Sequence, residues 1–239
     1  MRRNFAFLFF GVLGLLGAAC SSPSSPSADP AASRLLTQVQ AAVQKATSVG
    51  FSDTTTVTNQ SQTISGSFSA DASTEELAGV NGTYVRVRVL GTRAWVQTNS
   101  TTSLTQVLGL SAAAAANALN TWIELSPTDG AYAQLLQSMT IAQTVDIYFP
   151  TRASVRLGAT KTLNGIKVRT LTGSVSVASG PTATTSLIVD ASTLLPLQGV
   201  LTAQQGKTKE TKHCDYSAWG APVSVEAPSG SVSLSRFSS

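Results

Sequence analysis

The sequence predicts one α+β domain in which a strongly curved antiparallel sheet wraps over helices on its concave face. Apolar residues recur every second position in segments between residues 51 and 97 and again between 154 and 219. They recur at helical spacing over residues 33–48 and 102–149. A flat sheet of about ten strands would leave one apolar face bare, so we expect it to curve around the helices. About 220 residues remain after the N-terminal leader, enough for one buried core and short for two.

The first helix is predicted over residues 33–48. Leu35, Leu36, Val39 and Val43 form one apolar stripe at helical spacing. Ser33 is the expected N-cap, and a glycine follows the expected end of the helix at position 50.

Residues 84–89 give the clearest strand. Val85, Val87 and Val89 share one face, and Arg86 and Arg88 lie on the other. The first group of predicted strands covers residues 51–58, 62–70, 84–89 and 93–97. The acidic segment around Asp71, Glu75 and Glu76 is predicted as a turn.

The middle of the chain favours helices, and the second half favours strands again. Asn164 and Gly165 form the strongest hairpin signal, because both residue types accept the positive φ angles of a type I′ turn. The predicted helical segments are 102–110, 111–120 and 131–148, with a short strand at 122–125. The later predicted strands are 154–163, 166–177, 184–190, 195–203, 207–219 and 223–225.

The N-terminus resembles a bacterial lipoprotein signal. Arg2 and Arg3 precede an apolar run at residues 5–16, which is too short to span a bilayer, and small residues precede Cys20. Residues 16–20 (Leu-Gly-Ala-Ala-Cys) resemble a lipobox, although Gly17 stands where such boxes usually carry leucine. The resemblance implies a signal peptide at 1–19, an acylated Cys20 with a Ser/Pro tether at 20–32, and a location at the extracytoplasmic face of a cell membrane. The alternatives are an ordinary secretory leader with an incidental cysteine, or a retained anchor.

Composition argues against several functional classes. Two of the 16 basic residues lie in the leader, so the mature chain has 14 basic and 12 acidic residues. This nearly balanced charge argues against binding to nucleic acid. The single histidine, His213, argues against most metal sites and histidine-based triads. We therefore expect no catalysis, cofactor or metal; a hydrolase built on His213 and Asp215 is the weakest alternative.

Cys214 has no disulfide partner if Cys20 is acylated, and it is expected to be a small buried strand residue. Arg86, Arg88 and Arg93 form a small basic patch, which indicates a solvated face or a contact with anionic headgroups.

The order of elements resembles the actinobacterial lipoproteins that include LppX, LprA, LprF and LprG. Residues 216–220 (Tyr-Ser-Ala-Trp-Gly), 222–225 and 227–228 are similar to the aromatic–glycine corner and proline-containing last strand of that family. Residues 187–190 and 194–197 resemble a strand–turn–strand pattern also found in LolA- and LolB-like carriers. The resemblance covers most of residues 33–228 and implies a half-barrel over helices, with a cavity that holds acyl chains. Residues 229–239 are expected to be a flexible tail.

The predicted function is binding or transport of an amphiphilic lipid or lipoglycan by a monomeric, membrane-anchored protein, with other envelope transport proteins as further partners. The alternative is an envelope scaffold with a filled core. The predicted cavity lining consists of the apolar faces of three strands and part of the helical insert. These residues are Ile64, Phe68, Val85, Val87, Val89, Leu135, Met139, Val145, Leu187 and Val189.

Overall fold

The computed structural model describes residues 29–175 and 183–237, so Cys20 and the leader lie outside the described part of the chain. The strands are β1 (Ser48–Val57), β2 (Gln60–Ser69), β3 (Ala72–Ala78), β4 (Tyr84–Leu90), β5 (Arg93–Thr98), β6 (Ile123–Leu125), β7 (Arg156–Leu157), β8 (Lys161–Leu163), β9 (Ile166–Val175), β10 (Ala183–Asp190), β11 (Pro196–Gln205), β12 (Thr208–Ser217) and β13 (Val232–Ser233). The helices are α1 (Pro30–Lys45), α2 (Thr101–Leu108), α3 (Ala112–Asn117), α4 (Gly130–Ser138) and α5 (Ile141–Asp146).

Within residues 29–175 and 183–237, the thirteen strands belong to one open sheet in the order β13-β6-β5-β4-β3-β2-β1-β12-β11-β10-β9-β7, with β8 also paired to β9. Neighbouring strands are antiparallel except β13 and β6, which run parallel. The predicted curved antiparallel sheet over helices is therefore confirmed, and the sheet does not close into a barrel.

Alternation along each strand separates a concave face, covered by the helices, from a convex face. Val87 and Val89 of β4 are buried on the concave side, whereas Arg86 on the same strand is exposed. The helices contribute Leu36 and Val39 of α1 to the same buried cluster. One apolar core therefore fills the space between helices and sheet.

Helix α1 begins three residues earlier than the apolar stripe predicts. The Asp29 carboxylate accepts hydrogen bonds from the backbone N–H groups of Ala31 and Ala32, so Asp29 is the N-cap and Ser33 is not. Pro30 occupies the first helical position, where its missing N–H costs nothing. The boundary of the expected tether at residue 32 is wrong, because Ala32 is a fully buried helical residue.

Four other expectations are corrected. The acidic segment predicted as a turn is strand β3, which pairs with β2 and β4 along its length. The segment 223–225 forms no strand, and the last strand is β13 instead. The expected flexible tail is wrong for residues 232–237, because Val232 and Ser233 pair with β6 and Leu234 is buried. The predicted strand at 154–163 is two short strands, β7 and β8.

The Asn164–Gly165 hairpin is confirmed. Both residues have positive φ, 48° and 82°, between β8 and β9. These are the angles that a type I′ turn requires.

Candidate functional site

The concave face of β1 to β6 is ordered in rows of directly paired residues that run across the strands. The first row is buried and contains Val49, Phe68 and Val89. The second row runs through Tyr216, Phe51, Gly66, Glu75, Val87, Val96 and Ile123, and the third through Cys214, Asp53, Ile64, Leu77, Val85 and Thr98. Within these three rows, the carboxylates of Asp53 and Glu75 stand among largely apolar side chains.

The structure brings all predicted lining residues to one apolar cluster. Most of them are almost fully buried and pack against each other and the helices; only Ile64 and Val85 keep appreciable exposed surface. The residues with little exposure are Phe68, Val87, Val89, Leu135, Met139, Val145, Leu187 and Val189. Their packing is that of a core, and their contact with a ligand stays a prediction.

A partly exposed apolar strip continues the concave face beyond this core. Ile64, Leu77 and Val85 are adjacent across β2, β3 and β4, and each retains exposed surface. Val57 and Ala203 lie further along the same face on β1 and β11, on either side of Glu210 of β12 and beyond an intervening row that contains Thr55, Gln62 and Lys212. We call these five residues the concave strip. All five side chains remain partly exposed, in contrast to the buried residues of the first row.

Asp53 is held at the border between the core and the concave strip. The Tyr148 hydroxyl donates a 2.8 Å hydrogen bond to its Oδ2, while its Oδ1 is buried without a hydrogen-bond partner. The Tyr148 ring lies against Gly199 of β11, where an added Cβ would come within 2.6 Å of the ring. Thr185 fixes the same segment by donating a hydrogen bond to the Tyr148 carbonyl oxygen.

Glu75 lies in the middle of the second concave row, between Gly66 and Val87. Gly66 has no side chain, because a Cβ there would lie 2.1 Å from the Thr74 carbonyl oxygen of the next strand. The second concave row therefore carries no side chain between Phe51 and Glu75.

The electrostatics of this region favour protonated acids. Burial, with a smaller effect from the charge of Asp53, raises the pKa of Glu75 to about 7. Burial also raises the pKa of Asp53, although Lys212 and the hydrogen bond from Tyr148 act in the opposite direction. Burial raises the pKa of the Tyr148 phenol as well. Near neutral pH, Glu75 therefore exchanges between a charged acceptor and a neutral group that can donate.

Aromatic side chains close the β12 end of the concave face. The Tyr216 hydroxyl donates to the Thr144 carbonyl oxygen at 3.0 Å, and its ring meets that of Tyr148 edge-on at 6.3 Å between centroids. Trp219 packs beside Tyr216 and donates to the Pro196 carbonyl oxygen at 2.8 Å. These contacts join α5, β11 and β12.

Cys214 is buried, as predicted, and burial raises the pKa of its thiol, so it is a packing residue rather than a nucleophile. The Nε2 of the exposed His213 lies 3.5 Å from the Asp215 Oδ1 on the convex face. Arg93 pairs with Glu124 at 2.8 Å, which lowers the pKa of that carboxyl.

Within residues 29–175 and 183–237, no group of three or more His, Cys, Asp and Glu side chains could hold a metal ion. None of the helices in these ranges is long and apolar enough to cross a membrane.

Sequence reasoning missed Asp53, Glu75 and Tyr148. The signal for Asp53 was available, since it shares a strand face with Phe51 and Val57. The sequence around Glu75 predicts a turn, because a run of acidic and small residues is more typical of a turn than of a strand. Nothing local distinguishes Tyr148, whose partner is 95 residues away.

Neither the protein-family models nor the curated proteins give a match to this sequence. Two solved structures are similar over their whole length. LppX from Mycobacterium tuberculosis aligns over 83% of this chain and 100% of its own at 17% identity, with a TM-score of 0.51. LprF from Mycobacterium bovis aligns over 86% of this chain and 100% of its own at 12% identity, with a TM-score of 0.57. The chain has the fold of the LppX and LprF lipoproteins, as the sequence resemblance predicts.

Proposed function

We propose that the protein is a membrane-anchored envelope lipoprotein that binds or carries an amphiphilic lipid or lipoglycan on its concave side, without catalysis. The similarity to two lipoproteins supports the fold on which this proposal rests. The concave strip is the observation that carries it. Apolar side chains remain partly exposed there beside a continuous core, and each buried methylene of an acyl chain contributes about 0.8 kcal/mol.

Asp53 and Glu75 restrict the polar part of the ligand. Asp53 has a buried oxygen without a hydrogen-bond partner, and Glu75 is paired with Gly66, which carries no side chain. A fatty-acid carboxylate or a phosphate placed between Asp53 and Glu75 would be repelled whenever either acid is charged, and Lys212 on the same face offsets only part of this repulsion because its charge already acts on Asp53. Hydroxyl and ester groups pair favourably with these acids, so the ligand is a neutral or lipoglycan-type amphiphile at this point.

The anchor is the acylated Cys20, which lies outside the described residues. The Ser/Pro-rich segment that follows Cys20 is short, so acylation of Cys20 would hold the domain close to the membrane surface. The domain thereby reaches lipids of the same membrane.

A filled-core scaffold is the second candidate, and the dense packing around Val87, Leu187 and Val145 favours it. Native mass spectrometry of the mature protein, purified from its own envelope in mild detergent, separates the two. A bound lipid mass that survives desolvation supports the carrier. An apo mass that stays unchanged after incubation with vesicles of the same envelope lipids supports the scaffold.

Paired variants locate the binding face. Ile64 and Thr63 are neighbours on β2, with Ile64 on the concave face and Thr63 on the convex face. Ile64→Trp is expected to reduce retained lipid, because the indole occupies the concave strip, whereas Thr63→Trp is expected to leave it unchanged. Equal retention by both variants would contradict binding at the concave strip.

A further inference from the structure

A second depression lies on the convex face of the sheet, on the side away from the proposed lipid site. It is a groove of about 670 Å³, within the size range of small-molecule sites. Its floor crosses β12, β1, β2 and β3, where Ser217, Gly50, Ser67 and Thr74 are paired in one row. We call this depression the convex groove. It results from small side chains in the centre of the sheet and large ones at the side.

Two arginines of β4 form the wall. The Arg88 guanidinium lies 5.0 Å from the centre of the Trp122 ring and donates to the Glu226 carbonyl oxygen at 2.9 Å. The Arg86 guanidinium lies 4.7 Å from the centre of the Tyr84 ring and pairs with Glu76 at 3.2 Å. Stacking and hydrogen bonds hold both side chains in place, so the wall loses little conformational freedom when a ligand binds.

The floor carries hydrogen-bonding groups that the described part of the protein does not use. The hydroxyls of Ser65, Ser67 and Ser217 have no protein partner there, and each can donate and accept. Gln97 uses its Nε2 in a hydrogen bond to the Asn120 carbonyl oxygen and leaves its amide oxygen available to a ligand. The groove therefore presents hydroxyls, one amide oxygen and guanidinium donors next to an indole.

This combination matches a saccharide. A sugar ring has hydroxyls around its edge, which pair with serine, amide and guanidinium groups, and apolar C–H faces, which pack on aromatic rings. Two arginines against Glu76 leave the wall weakly positive, so uronic-acid or other anionic sugars are also accepted. We propose that the convex groove binds a saccharide, on the face opposite to the lipid, so that the protein contacts glycan and lipid at separate sites.

The test uses full-length mature protein in detergent and trisaccharides of mannose, arabinose, glucose, N-acetylglucosamine and glucuronic acid as probes. Tryptophan fluorescence and isothermal titration measure binding, because Trp122 borders the groove. Ser65→Tyr and Ser67→Tyr fill the floor from the solvent side, where an added ring does not enter the core. Thr184→Tyr is the matched control, since Thr184 is exposed on the convex face of β10 outside the groove.

The wild type and Thr184→Tyr are expected to bind at least one trisaccharide equally, and both floor variants to bind it about tenfold more weakly, a loss of about 1.4 kcal/mol. Retained lipid is expected to be the same in all four proteins, which separates this proposal from the proposed function. No binding of any probe to the wild type, or equal binding by wild type and floor variants, would overturn it.

Discussion

The Tyr148 hydroxyl donates a 2.8 Å hydrogen bond to the Asp53 carboxylate across the inside of the half-barrel. This contact joins the segment after α5 to the central strand β1, and it satisfies one oxygen of a carboxylate whose other oxygen is buried without a hydrogen-bond partner. The concave face is therefore not uniformly apolar. Its polar spot is fixed by a tyrosine that rests on Gly199.

Removal of the Tyr148 hydroxyl is expected to destabilise the fold. Tyr148→Phe leaves both oxygens of Asp53 without a partner, which costs about 1–3 kcal/mol of unfolding free energy. Urea unfolding followed by circular dichroism measures the loss. Tyr84→Phe is the control, because its 2.8 Å hydrogen bond to Asn120 lies at the exposed surface. Equal losses of unfolding free energy in the two variants would show that the buried hydrogen bond stabilises the fold no more than the exposed one.

The environment of Glu75 predicts a pH dependence of stability. Its pKa is about 7 in the folded protein against 4.5 for an ordinary glutamate, so the folded state binds more protons between these values. Stability from this group is fully present below about pH 4.5 and is lost as the pH rises to about 7. Glu75→Gln removes this loss and is expected to raise the melting temperature at pH 8 relative to the wild type.

The control for Glu75 is its neighbour. Glu76→Gln alters an exposed side chain on the convex face, paired with Arg86, and is expected to leave the slope of melting temperature against pH unchanged between pH 5 and 8. If Glu75→Gln keeps the wild-type slope of melting temperature against pH, a group other than Glu75 causes the pH dependence.

The close approach of Tyr148 to Gly199 predicts a steric penalty. Gly199→Ala places a Cβ within 2.6 Å of the Tyr148 ring and must displace the ring and its bond to Asp53. We expect a loss of about 1–3 kcal/mol, measured by urea unfolding. Gly130→Ala, at the start of α4, meets nothing within 4 Å and is expected to be neutral or slightly stabilising. A neutral Gly199→Ala would show that the ring moves freely.

Membrane attachment through Cys20 is tested by partition in a phase-separating detergent. The wild type is expected in the detergent phase and Cys20→Ala in the aqueous phase, because the variant lacks the acylation site while its leader can still direct export. If Cys20→Ala stays in the detergent phase, the retained leader is the anchor, or the domain itself binds detergent.

Strong local patterns predicted most of the fold. The alternating valines correctly predicted that residues 84–89 form a strand with Arg86 and Arg88 on its convex face. Asn164 and Gly165 correctly predicted the hairpin turn. Strand β3 could not be predicted in this way, because its residues have low strand propensity and are held by pairing with β2 and β4. Strand β13 is two residues long and depends on contact with β6, which no local pattern reports.

The candidate site was predictable only in its apolar part. The periodicity of Val85 and Ile64 shows which side chains face inward, but it does not show which of them the helices cover. The pKa of Asp53 is set by burial, Lys212 and Tyr148, and that of Glu75 by burial and Asp53, while Tyr148 reaches Asp53 only through the folded topology. Such properties arise in tertiary structure and are absent from any short window of sequence.

The central claim is that acyl chains lie on the concave strip, and photo-crosslinking tests it most directly. Vesicles containing a neutral diacylglycerol with a diazirine at the end of one acyl chain are incubated with the mature protein, irradiated and mapped by peptide mass spectrometry. The account predicts adducts on β2, β3 and β4 at or beside Ile64, Leu77 and Val85, with fewer in Ile64→Trp. Adducts confined to the convex face, or none above the level of an unrelated lipoprotein, would contradict it.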